Sequence, residues 1–285
     1  MDYIKPSDVV KNMLSAGETK AALPVKDLLA RGILSGALLA VSTSLAMTAA
    51  AQTSIPLVGA LVFPVGFVII ILLGLELVTG SFALVTLTGV DGRRSWTAVG
   101  LNLFWVFIGN LIGSLLFGLM LYVTLTNGGS EAPGGIAAKI IAAAEAKTNG
   151  YALHGGAGML TVVVKAILCN WLVCLGVVMG LTSQSTLGKI VAAWLPVVTF
   201  FAQGFEHSVV NMFVIPTGML LGAKVTLSGW WLWNQIPVTI GNLIGGFGFT
   251  GLMLYWTYGK RGASSASTTK LVTTPVEAAE DLVSA

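Results

Sequence analysis

The residues able to do chemistry gather in one short stretch, Gly204-Phe205-Glu206-His207-Ser208-Val209-Val210-Asn211-Met212, set between the apolar runs 190–202 and 212–221. An acid, a histidine and an asparagine here interrupt what otherwise reads as one membrane-crossing helix. An ionisable group at membrane depth costs about 2.5–3.5 kcal/mol on insertion scales, so such groups face a cavity, a partner or a pathway. His207 stands out because an unperturbed imidazole titrates near pH 6.5, and so can donate or polarise a proton. The competing reading is a neutral histidine held by hydrogen bonds in the packing. A second break, Gly74-Leu75-Glu76-Leu77-Val78-Thr79-Gly80-Ser81, carries Glu76, and Lys165 lies near the start of the apolar run 158–181.

The elements that must hold these groups are transmembrane helices. Hydrophobic residues make up 55% of the 285-residue chain against 9% charged, and the mean hydropathy is +0.87, a balance that excludes a soluble domain. Apolar runs of about 20 residues, enough to cross the hydrocarbon core, recur along it. The net charge of +3 therefore gives no reason to expect a nucleic-acid partner. Cys169 and Cys174 share one apolar run and read as small buried side chains, and with only two histidines no metal site or cofactor is expected.

The expected fold is an all-α polytopic membrane protein with one transmembrane domain, residues 29–258. Residues 1–28 form a charged segment in which Ser7 caps a weakly amphipathic helix, with Val10, Met13 and Leu14 on one face, able to lie along the membrane surface. The first apolar run starts near Gly32 and is too long for a cleavable signal peptide. Six crossings are expected near residues 29–50, 57–90, 96–126, 158–181, 190–221 and 230–258. The second and fifth are long and broken, which is tolerated only where protein or a water-filled cavity covers the backbone, and two broken helices in corresponding places point to a shared central site. The tail 259–285 has no apolar period and is expected to be disordered.

An internal repeat supports that correspondence. Ile108-Gly109-Asn110-Leu111-Ile112-Gly113 recurs as Ile240-Gly241-Asn242-Leu243-Ile244-Gly245, and Gly118-Leu119-Met120-Leu121-Tyr122 as Gly251-Leu252-Met253-Leu254-Tyr255. The halves, 29–126 and 158–258, hold three crossings each, an odd number, so they are expected to insert in opposite orientations. Lys5, Lys11, Lys20, Lys26, Arg31, Arg93, Arg94, Lys189, Lys260, Arg261 and Lys270 fall on one side, against Lys139, Lys147 and Lys224 on the other, which makes both termini cytoplasmic.

Four pieces, residues 74–81, Leu168-Cys169-Asn170-Trp171-Leu172-Val173-Cys174, Gly204 to Met212, and Pro237-Val238-Thr239-Ile240-Gly241-Asn242, together resemble the formate/nitrite transporter family. The match runs from about Arg31 to Tyr258. The resemblance implies an aquaporin-like six-helix protomer, assembled as a homopentamer in the plasma (inner) membrane, each protomer with its own pore for a small monovalent anion. There is no Asn-Pro-Ala motif, which disfavours a water or glycerol channel.

In such a pore His207 would protonate or polarise formate or nitrite, letting it cross the apolar part as the neutral acid and avoid most of the ion's desolvation. The family's pore-loop threonine matches Thr79, whose hydroxyl can donate to an anion and accept from imidazolium; its competing role is a bond to its own backbone. Phe63, Phe200, Leu77 and Phe67 match the family's apolar constrictions, while Val78 departs from the phenylalanine common in its formate channels. Lys165 would draw anions into a vestibule or snorkel to the interface. Asn170 is placed on the substrate pathway, with Glu206 and Asn242 as its partners. Glu206, Asn242 and Glu76 are expected to support the loops rather than touch the anion. Formate is the first expectation and nitrite the next, followed by hydrosulfide, acetate or lactate. A membrane enzyme using Glu206 and His207 lacks a nucleophile or metal-ligand set, and a non-transporting scaffold would keep the fold without flux.

Overall fold

A computed structural model describes residues 2–259; the tail expected to be disordered lies outside the described residues from 260 onward, as do Lys260, Arg261 and Lys270. Helix α1 (Pro6–Ala21) begins on Pro6, which needs no amide partner in the first turn, so its cap position is Lys5 and not Ser7. Val9, Val10, Met13 and Leu14 form its apolar face. That face packs on Leu84, Leu87 and Val178, so it is turned to the protein and not to lipid. Lys11 and Asp8 pair on its exposed side.

Helix α2 (Val25–Thr53) is followed by α3 (Pro56–Val62) and α4 (Pro64–Leu72), which are separated only at Phe63, where Pro64 removes one ladder amide. Then come α5 (Val78–Val90), α6 (Trp96–Leu125), α7 (Ile136–Lys147), α8 (Asn149–Ala152) and α9 (Gly155–Gly180). Helices α10 (Thr186–Ala202) and α11 (Ser208–Leu220) precede α12 (Leu227–Gly259), a long span with π-helical stretches at Trp231–Gln235, Ile244–Leu252 and Tyr255–Gly259. Helices α2, α6, α9 and α12 are each long and apolar enough to cross a membrane; the apolar helices Pro56–Leu72, Val78–Val90, Thr186–Ala202 and Ser208–Leu220 are shorter. The architecture is all-helical among the described residues.

One connection is folded. The segment between the expected third and fourth crossings, left without an element by the sequence, holds α7 and α8. Ala137, Ile140 and Ala144, at helical spacing, are buried against Leu221, Ile215 and Trp230. His154 in the same segment is exposed.

Close helix approach depends on glycine at two corresponding places. A Cβ on Gly113 would collide with the Ile33 carbonyl on α2, and one on Gly245 with the Ile167 carbonyl on α9. These small residues let α2 lie on α6 and α9 on α12, the close packing that apolar helices in lipid need in place of a hydrophobic driving force.

The two breaks have the same construction. Gly74 takes φ 61° and Gly204 φ 64°, the left-handed conformation that ends a helix at little cost in glycine. Leu75 N–H then bonds Ile70 O at 3.0 Å and Gly74 N–H bonds Ile71 O at 3.1 Å; Phe205 N–H and Gly204 N–H reach Phe200 O and Phe201 O in the same way. Extended backbone follows through Leu77 (φ −118°) and His207 (φ −114°), after which α5 and α11 begin.

Candidate functional site

The starts of α5 and α11 are held by two asparagines making the same three bonds. Asn110 on α6 accepts from Val78 N–H at 2.9 Å and donates to Glu76 O and Gly32 O, both at 2.9 Å. Asn242 on α12 accepts from Ser208 N–H at 2.8 Å and donates to Glu206 O at 2.9 Å and Ala166 O at 2.8 Å. Each amide thus satisfies three buried backbone groups that an extended segment in a helical core would otherwise leave unpaired. The next amides of each helix, Thr79 and Val209, sit in the first turn, where N–H groups have no intrahelical carbonyl and the helix dipole is positive.

Each extended segment also carries a buried carboxylate under a lysine. Glu76 accepts from Lys20 of α1 at 2.8 Å, and Glu206 from Lys147 at the end of α7 at 2.9 Å. Asn102 and Asn234 donate to the carbonyls of those two lysines, at 2.8 and 2.9 Å. Glu206 has further donors: Tyr151 hydroxyl at 2.8 Å and Asn211 Nδ2 at 2.7 Å. Burial, and then the Glu206 charge beside it, push the Tyr151 phenol well above its ordinary value, so it remains an O–H donor. Glu76 Oε2, by contrast, is buried with no hydrogen-bond partner among the described residues.

At the centre His207 and Thr79 meet. His207 Nε2 lies 3.1 Å from Thr79 Oγ1, with both side chains buried. Val210 N–H donates to His207 Nδ1 at 3.2 Å. An acceptor Nδ1 puts the proton of a neutral ring on Nε2, so the imidazole is a donor toward Thr79 and leaves the threonine hydroxyl's own proton to be directed elsewhere. Phe200 stacks on the imidazole with centroids 5.8 Å apart, and Phe63 meets Phe200 edge-on at 5.6 Å. On the α1 side a cavity of about 220 Å³ is lined by Phe67, Leu77, Ser81, Lys20 and Lys189.

The remaining expected site residues lie around this centre. Asn170 donates to Thr79 O at 3.0 Å and Asn242 O at 2.7 Å. It thus holds the backbone of the threonine, and its expected bond to Glu206 does not form: that carboxylate is taken by Lys147, Tyr151 and Asn211. Cys174 donates to Thr79 O at 3.1 Å, a use of that buried thiol the sequence did not suggest. Lys165 is half-buried with its ammonium 5.9 Å from the Tyr151 ring centre, and its carbonyl accepts from Glu206 N–H at 3.4 Å.

Sequence reasoning missed Lys147, Lys20 and Tyr151, taking the first two as loop charges that set orientation. It also passed over Asn102 and Asn110. The recurrence of Ile-Gly-Asn at Asn110 and Asn242 held the signal for Asn110, because Asn242 had been singled out and Asn110 is its counterpart.

In this multi-pass membrane protein the starts of two interrupted helices meet at one buried histidine and threonine, with Phe200 and Phe63 alongside, an arrangement that suits a membrane transport protein. The chain belongs to the formate/nitrite transporter family, whose model matches residues 7–256. It is 34% identical over 273 residues to a "Probable formate transporter" of Methanothermobacter thermautotrophicus, covering 90% of this chain and 97% of that one. Among solved structures it is similar to one described as an "FNT family ion channel", with TM-score 0.76 and 29% identity over 88% of this chain and 98% of the other. It is also similar to a "Pentameric formate channel with formate bound", with TM-score 0.66 and 27% identity over 82% and 96%. Membership of a transporter family sets aside the reading of a membrane-embedded enzyme.

Proposed function

We propose that the protein conducts small monovalent anions, formate first, through a pore centred on His207 and Thr79. The observation that carries this reading is the buried 3.1 Å pair between His207 Nε2 and Thr79 Oγ1 at the facing starts of α5 and α11. An anion entering there meets first-turn amides, a threonine hydroxyl with a free proton and an imidazole N–H, all donors. Formate's relatives by name, a probable formate transporter and a channel with formate bound, favour it over nitrite. Nitrite is the second reading, on the family's own description.

Passage through the apolar flanks is proton-coupled. Phe63 and Phe200 narrow the path on the histidine side, and Phe67 and Leu77 on the α1 side. A charged carboxylate between such rings carries its full desolvation cost, whereas formic acid does not; the proton that neutralises formate comes from the water of the more acidic side, and the neutral imidazole offers its Nε2–H to the passing anion as a hydrogen bond. Lys165 supplies positive potential at one mouth, and Asn170 holds Thr79 in place. Glu206, Glu76 and Asn242 keep the broken segments rigid and stay off the anion path.

The architecture we infer is six crossings in two inverted repeats, with α1 and α7 as matching flanking helices. The paired networks of Asn102, Lys20, Glu76 and Asn110, and of Asn234, Lys147, Glu206 and Asn242, support it. The unit functions as an aquaporin-like protomer of a homopentamer in the plasma (inner) membrane with cytoplasmic termini, the 1–28 segment and the tail lying on that side.

The test is uptake of labelled formate and nitrite by proteoliposomes of the full chain, from about pH 5 to pH 8, beside His207→Asn. Formate flux well above that of empty vesicles, rising with acidity in the wild type and flattened in the variant, is expected. Equal flux at every pH in both proteins sinks the role of His207; flux no greater than in empty vesicles sinks transport of these anions.

A further inference from the structure

The two halves differ in the side chains immediately behind His207. Asn102 and Asn234, and Asn110 and Asn242, occupy corresponding positions by the bonds they make. Counting from them, Leu103 corresponds to Gln235 and Phe107 to Thr239, and Val78 corresponds to Ser208. In the first half all three are apolar: Val78 is buried, with Leu103 and Phe107 packed against the same core. In the second half all three are polar, and Gln235 and Ser208 are fully buried.

The polar set forms a chain in which every proton has one direction. Trp230 Nε1–H, which can only donate, reaches Gln235 Oε1 at 3.2 Å and so fixes which end of the amide is which. Gln235 Nε2 then donates to Ser208 Oγ at 2.8 Å. Thr239 donates to Gln235 O at 2.7 Å, which leaves its oxygen to accept the Ser208 proton at 2.8 Å. Gln235 closes the π-helical stretch Trp231–Gln235, a local widening of the kind that recurs at functional sites.

Such a chain is unnecessary for the fold, because the matching turn of the first half is held by Asn110 with aliphatic and aromatic packing alone. What distinguishes the second half is the imidazole. Ser208 adjoins His207 and begins the turn whose Val210 N–H occupies Nδ1. We propose that Gln235, through Ser208 and Thr239, is a positioning unit that locks the first turn of α11 and thereby holds His207 in the Nε2–H tautomer facing Thr79. The inference rests on the reading of His207 as the pore's donor. It makes Gln235 a determinant of transport rate that never touches the anion.

The test uses the full chain in lipid, with exposed His154 replaced by Gln so that His207 carries the only histidine label. Nitrogen-15 solid-state NMR separates protonated from unprotonated ring nitrogens, and formate uptake is measured on the same samples. Wild type is expected to show a single tautomer with the proton on Nε2. Gln235→Leu is expected to show mixed tautomers and, from the loss of one buried hydrogen bond, about a tenfold lower formate flux. The triple replacement Ser208→Val, Gln235→Leu, Thr239→Phe copies the packing of the first half and reads the same quantity if the single variant assembles poorly. An unaltered single tautomer in either assembled variant overturns the proposal, as does a wild-type proton on Nδ1. His207→Asn runs alongside: undiminished flux there removes the histidine from transport, while the NMR result still judges the positioning unit.

Discussion

Thr79 and His207, 128 residues apart in the chain, place Oγ1 and Nε2 at 3.1 Å inside the protein. Thr79→Val keeps the shape and removes the hydroxyl, leaving a buried imidazole N–H without an acceptor. Loss of such a bond is worth about 1–3 kcal/mol, so formate flux in proteoliposomes is expected to fall by about tenfold or more. Thr79→Ser, which keeps the hydroxyl, should stay within about threefold of wild type on the same scale. A Thr79→Val protein that transports like wild type removes the hydroxyl from the mechanism.

The two lysine–glutamate pairs predict unequal sensitivities. Removing Lys147 leaves Glu206 with Tyr151 and Asn211 as donors, whereas removing Lys20 leaves Glu76 with no side-chain donor among the described residues. Breaking a buried pair from one side costs about 3–5 kcal/mol, and Lys20→Ala should approach that figure while Lys147→Ala stays below it. Thermal unfolding of the purified assembly in detergent checks the order. Glu76→Gln combined with Lys20→Ala should recover most of the loss, since the uncompensated charge is gone.

Phe200 bears on selectivity through its contacts with His207 and Phe63. Phe200→Ala should cost about 3 kcal/mol of stability through the cavity it opens, and in exchange admit a larger carboxylate. Acetate uptake relative to formate is therefore expected to rise in this variant; an unchanged ratio places the size filter elsewhere.

Asp2 ties the chain's beginning to the α9–α10 connection. Its carboxylate accepts from the Ser183 hydroxyl at 2.7 Å and from the amides of Gln184 and Ser185 at 2.6 and 2.8 Å. The Ser183 bond first, and then the Ser185 and Gln184 amides, hold this carboxyl below the usual range. A depressed folded value means the latch contributes fully above the unfolded carboxylate pKa of about 3.9 and is lost as the pH falls through the folded one. Amide exchange at Gln184 and Ser185, corrected for intrinsic rates, should thus be flat from about pH 5 to pH 8 and accelerate only in stronger acid. Asp2→Ala should exchange fast throughout.

The long apolar runs and both breaks were legible in the sequence because hydropathy and a polar interruption are local properties. His207 and Glu206 stood out for the same reason, being ionisable where lipid or core was expected, whereas Thr79 was marked by the family resemblance and Asn242 by the repeat and that resemblance. Helix α7 was not legible: its alanines are weakly apolar, and its Lys139 and Lys147 suggest a solvated loop until Ala137, Ile140 and Ala144 are seen packed. Lys20 and Lys147 escaped because a lysine beside the membrane fits a topology signal as well as it fits a buried carboxylate some 56 or 59 residues ahead, and only the fold brings the two together. Gln235 escaped because it is a buried polar residue at the end of the widened turn Trp231–Gln235, which no periodicity announces.

In both halves the lysine is translated before its glutamate, Lys20 by 56 residues and Lys147 by 59. Domains assemble from the N-terminal end as synthesis proceeds. When each carboxylate leaves the ribosome, its counter-ion has already been made. Neither acid need enter hydrocarbon as a lone charge, and a circular permutant that moved α1 behind α5 would lose that ordering for Glu76 while keeping every contact of the finished protein.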